Sequence, residues 1–81
     1  MTTSIIEINQ RVEQLRLKYA SIIKAAEASG KTPKEQAGAR NLTELAQEAD
    51  ILSSEAQKTS DSKLITTAFV LKCAINSALM E

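Results

Sequence analysis

Two carboxylates one helical turn apart, Glu44 and Glu48, come nearest to reaction chemistry in this sequence. Side chains at i and i+4 share a helix face, and acids held together can separate their pKa values and act as general acid and base. That use requires a cleft and a third polar group or a metal, and the surrounding residues ELAQEAD suggest neither, so a solvated acidic face is the expectation. Gly30, Lys31 and Thr32 have the residue types of a phosphate loop, but the first glycine and the preceding strand are absent. Cys73, the lone thiol, has no histidine or cluster of bases nearby to lower its pKa and reads as a small apolar side chain. Tyr19 is expected in a core layer with its hydroxyl reaching the surface.

The rest of the composition removes most catalytic options. Histidine is absent, and there is one phenylalanine and one tyrosine, so metal ligands, the commonest general base and base-stacking platforms are scarce. An enzyme is not expected, nor a cofactor, a metal or a small-molecule substrate. Ten basic and ten acidic residues cancel, which withholds the broad positive field that draws proteins to nucleic acid or anionic lipid. A single cysteine cannot form an internal disulfide, so a cytoplasmic setting is expected. MTTSIIEINQRVEQ lacks the charged and apolar regions of a signal peptide. The longest uncharged apolar-rich run, 64–71, is about eight residues against the ~20 that span a bilayer, so no membrane insertion is expected.

Any functional side chain must therefore be positioned by helices. In SIIE, Ser4 and Glu7 have the spacing of a capping box and predict a first helix from about 5 to 29, ended by Gly30. In TPKE, Thr32 caps, Pro33 takes the first helical position and Glu35 closes a second box, predicting a helix from about 33 to 58. KTSDSK then supplies weak helix formers with good caps, Ser60 or Asp61, ahead of a third helix from about 62 to 80. A loop of about three residues turns the first two helices antiparallel.

Apolar residues recur at steps of three and four. Ile5, Ile8, Val12, Leu15, Tyr19, Ile22 and Ala26 mark one stripe; Leu42, Leu45, Ala49, Leu52 and Ala56 mark another, with Gly38 and Thr59 at its outer ends. Antiparallel register predicts the ion pairs Arg11–Glu55 and Lys18–Glu48 along one edge. The other edge, Ile23, Ala39, Ala46 and Ser53, is small and uncharged, leaving a groove for the stripe Leu64, Ala68, Leu71, Ile75 and Ala78. The fold class is all-α: an antiparallel hairpin plus a third helix, an up-down-up three-helix bundle forming a single helical domain over 1–81. Self-association is expected, because a core this small stabilises a monomer only marginally.

Once that stripe is buried, Ile65, Phe69, Val70, Cys73, Leu79 and Met80 remain on other sides of the third helix, with charge only at Lys63, Lys72 and Glu81. One groove cannot cover so much apolar surface, so these six residues are the expected partner-binding set. The functional expectation is a small non-enzymatic protein–protein interaction module, an adaptor, subunit or chaperone-like protein, meeting another protein or a second copy of itself. A hairpin followed by AFVLKCAINSALME is similar in size and layout to the small helical-hairpin co-chaperones of type III secretion needle subunits, and to the needle subunits themselves. The capped third helix departs from a plain hairpin. That resemblance implies a needle co-chaperone or needle-like component. A third reading, a nucleic-acid-binding regulator, rests on Arg11, Arg16, Lys18 and Lys24 in the first helix; zero net charge opposes it, and no nucleic acid is expected as partner.

Overall fold

The computed structural model describes residues 5–80. The proposed Ser4 cap lies outside them. The described residues are all-helical: α1 (Ile5–Ser29), α2 (Pro33–Ala37), α3 (Ala39–Gln57) and α4 (Ser62–Met80) pack together.

The helix ends follow from side chains that satisfy stranded backbone groups. Past Ser29, Gly30 takes φ +67°, a left-handed conformation that is unstrained only without a Cβ. The Lys31 N–H then donates to the Ala26 carbonyl at 2.9 Å and the Gly30 N–H to the Glu27 carbonyl at 3.4 Å, the double closure of a Schellman turn. At the start of α2, the Glu35 N–H donates to Thr32 Oγ1 at 3.2 Å while the Thr32 N–H donates to Glu35 Oε1 at 3.1 Å. Asp61, not Ser60, caps α4: its Oδ1 accepts from the Leu64 N–H at 3.1 Å. Before it, the Thr59 hydroxyl donates to the Ala56 carbonyl at 2.7 Å and holds the turn that ends α3.

The single helix expected over about 33 to 58 is corrected by the structure. It breaks at Gly38, which adopts φ +87° and ψ 141° between α2 and α3. Only glycine reaches that conformation cheaply, and a glycine inside a helix is already unfavourable by about 1 kcal/mol relative to alanine. The periodic pattern carries through the break, so hydrophobic spacing alone could not reveal it.

The core is built from the interlocking stripes. Ile8, Val12 and Leu15 of α1, Leu42, Ala49, Leu52 and Ala56 of α3, and Leu64, Ala68, Leu71, Ile75 and Ala78 of α4 form one buried cluster. Ala46 and Ser53, the small edge left for the last helix, are buried as well; Ala39, beside the Gly38 break, is exposed. α4 packs most extensively against α3. Tyr19 is partly buried against the core, and its hydroxyl donates to the Ala74 carbonyl of α4 at 3.2 Å.

The charged edge also differs from expectation. Neither Arg11–Glu55 nor Lys18–Glu48 is an ion pair among the described residues; Lys72 Nζ instead meets Asp50 Oδ1 at 2.9 Å, tying α4 to α3, and Arg16 pairs with Glu13 within α1. Exposed pairs contribute only about 0.2–1 kcal/mol each, too little to impose a predicted partner against local alternatives. Glu55 Oε2 is buried without a hydrogen-bond partner.

Candidate functional site

The expected partner-binding residues separate by position around α4. At 100° per residue, the buried stripe occupies one side, and Thr66, Phe69, Val70, Cys73, Ser77 and Met80 occupy the opposite one. From Thr66 to Met80 that outer face carries no charge, and Lys63, seven residues before Val70, stands at its edge. Phe69 is 49% exposed, Val70 59% and Met80 88%, and Cys73 is an exposed free thiol. Ile65 and Leu79 are partly buried against the chain's own core. They stand toward α3, where Leu79 shares a groove with Thr43, Ala46, Asp50 and Lys72.

Beside the outer face, α1 and α4 leave a shallow groove of about 310 Å³ lined by Arg16, Thr66, Thr67, Val70, Leu71 and Ala74. Its surface is almost wholly apolar because the threonines lie along a helix wall; the Thr67 hydroxyl turns back to the Lys63 carbonyl at 2.8 Å. Arg16 is the one charge on the lining, and it is held by Glu13: Arg16 Nε donates to Glu13 Oε2 at 3.1 Å, and a second nitrogen meets Oε1. The hydrogen bond from Arg16 holds the Glu13 carboxyl below the usual carboxylate range. Val70 belongs to both the groove and the open face. The i, i+3 spacing of Glu13 and Arg16 was readable in the sequence; the place of Arg16 on the groove was not, since it depends on how α1 packs on α4.

The acidic pair sits in a larger and more polar trough that is open to water to a similar degree. Glu44 and Glu48 are exposed and line an open trough between α1 and α3 with Lys18, Ile22, Asn41 and Leu45. The trough brings the two carboxylates onto one wall, but it opens broadly to water, so nothing there strengthens an electrostatic interaction on a substrate. Among the described residues, no three His, Cys, Asp or Glu side chains gather as metal ligands. Arg11, Lys18 and Lys24 are exposed on α1, and Arg16 is engaged with Glu13.

By length and composition alone, α4 is long and apolar enough to cross a membrane. Here one side of it fills the protein core, and Lys72 near its middle is tied to Asp50. No protein-family model matches the chain, and no curated protein or solved structure matches it either.

Proposed function

We propose that this chain is a small non-enzymatic interaction module that presents the outer face of α4 and the α1–α4 groove to an apolar helix of a second molecule. The observation that carries the reading is the division of α4. One side is buried in its own core, and the other, uncharged from Thr66 to Met80, leaves Phe69, Val70 and Met80 half to nine-tenths open. Helix-in-groove recognition needs complementary apolar stripes and little else.

An up-down-up three-helix bundle is the arrangement we propose for presenting that face, with α2 and α3 as one broken descending limb. Tyr19 of α1 meets Ala74 of α4, and the first residues of both helices line one groove, Ile5 and Asn9 with Lys63 and Leu64. Opposite ends of α3 and α4 come together instead, Thr43 with Leu79, while Asp50 meets Lys72. Those contacts support α1 and α4 running the same way and α3 running against them.

Magnitude decides how much surface the partner must cover. Fully burying a large apolar side chain contributes roughly 1.5–3 kcal/mol, so three partly exposed ones offer about 3–6 kcal/mol. Association opposes this with an estimated 4–15 kcal/mol of lost translational and rotational freedom. The open face alone sustains only a weak complex; the groove beside Val70 must be filled as well.

Sedimentation equilibrium of the wild type against Phe69→Glu/Val70→Glu tests the reading. A wild-type dimer that becomes a folded monomer in the variant is expected. A wild type monomeric over a wide concentration range, with a variant that loses helicity, would place both residues in an internal core and end the proposal. If the wild type is monomeric and the variant keeps its helicity, the face serves a different protein, and the variant must then lose that partner on co-purification.

A further inference from the structure

Between α2 and α3 the hydrogen-bond ladder is interrupted over three amides. The Gly38 N–H donates to the Lys34 carbonyl at 2.9 Å and the Leu42 N–H to the Gly38 carbonyl at 3.0 Å, while no backbone bond joins the amides of Ala39, Arg40 or Asn41 to α2. In their place the Asn41 side chain reaches back, Nδ2 donating to the Ala37 carbonyl at 2.8 Å. In a continuous α-helix that same carbonyl receives the backbone N–H of residue 41. The side chain thus supplies a donor to that carbonyl, a bond that an unbroken helix also accommodates, as Asn76 Nδ2 and the Lys72 carbonyl show at 2.9 Å within α4. Nothing crowds the bend: a Cβ built on Gly38 would meet no atom within 4 Å.

We infer that Gly38 is a two-position hinge, with α2 as a strap. In the bent position α2 touches α1, α3 and α4. In the straight position Gly38 turns helical, the amides of residues 39–41 gain the carbonyls of residues 35–37, and 33–57 becomes a single helix. Two features fit that second state. The three-to-four spacing of Leu42, Leu45, Ala49, Leu52 and Ala56 extends back to Gly38 in register. A helix over 33–57 would also have as many residues as the 25 of α1, so the short link at 30–32 would join two limbs of equal length. Straightening withdraws α2 from α4 and uncovers the surface of α4 that it now touches.

The test uses the full chain, with backbone relaxation dispersion and amide hydrogen exchange. In the wild type, exchange broadening is expected over residues 38–41. Gly38→Ala, which disfavours positive φ, should protect the amides of residues 39–41 by at least about tenfold and deepen the 222 nm helix signal. Ala39→Pro locks the bent position: residue 39 opens α3, where proline is tolerated, and the ψ of 141° at Gly38 suits a residue before proline. That variant should abolish the broadening while the Thr32–Glu35 box persists. Broadening that survives Ala39→Pro would overturn the hinge, as would a wild type with none. So would a Gly38→Ala chain whose residue 39–41 amides still exchange freely. Should Gly38→Ala not fold, the comparison of wild type with Ala39→Pro decides alone.

Discussion

Replacing Ser53 with alanine should make this protein more stable. Ser53 is 1% exposed in the middle of α3, and its Oγ is buried with no hydrogen-bond partner. A buried polar group left unpaired costs about 1–3 kcal/mol, and serine is a weaker helix former than alanine by roughly 0.5 kcal/mol. Against this stands the loss of one oxygen atom from the packing, worth only a few contacts of about 0.1–0.2 kcal/mol each. The net gain is about 1–3 kcal/mol, and at about 4–8 °C per kcal/mol for a domain of this size the melting temperature should rise by roughly 4–24 °C. Thermal melts followed at 222 nm, with urea unfolding to check that the m-value is unchanged, would measure it. Ser54→Ala is the internal control, since Ser54 is exposed on the next position of the same helix; it should move stability by no more than about 0.5 kcal/mol. The reasoning is refuted if Ser53→Ala melts at or below the wild type. In that case the hydroxyl is paired in solution, and small size alone does not explain a serine at this point.

Ile75→Ala removes a side chain that is fully buried and should destabilise by about 2–5 kcal/mol, read from urea midpoints. A double-mutant cycle on Asp50→Ala and Lys72→Ala should return a coupling of about 0.2–1 kcal/mol that shrinks in high salt; a larger, salt-insensitive value would contradict the exposure of Asp50. Backbone and side-chain hydrogen bonds from Thr32 hold the Glu35 carboxyl below its usual range. A carboxylate depressed on folding stabilises fully above its ordinary pKa and loses that contribution as pH falls through the depressed value. The start of α2 should therefore fray selectively in acid, seen as a loss of amide protection at Glu35, and Glu35→Gln should abolish that pH dependence.

Much of this architecture can be read from short-range chemistry. The Thr32–Glu35 box, the Gly30 turn and the cap ahead of α4 involve residues within a few positions of one another, so their spacing carries the whole signal. The stripe Leu64, Ala68, Leu71, Ile75 and Ala78 is legible because a helix that buries one side must repeat apolar residues on that side. The break at Gly38 was not legible: a glycine in an amphipathic pattern is compatible with a tolerated helical residue or a bend, and the two differ by about as little as one hydrogen bond. The predicted Arg11–Glu55 and Lys18–Glu48 pairs failed for a related reason, because exposed charges on flexible stems settle wherever side-chain entropy and local neighbours favour.

The sequence by itself determined where α1 ends, where α2 and α4 begin and which side of α4 is apolar enough to be buried, since capping and periodicity are properties of neighbouring residues. Tertiary structure alone decided which leftover apolar residues face inward. Ile65 and Leu79 turn toward the core, while Phe69, Val70 and Met80 stay open, because that division depends on the angle at which α4 lies against α1 and α3.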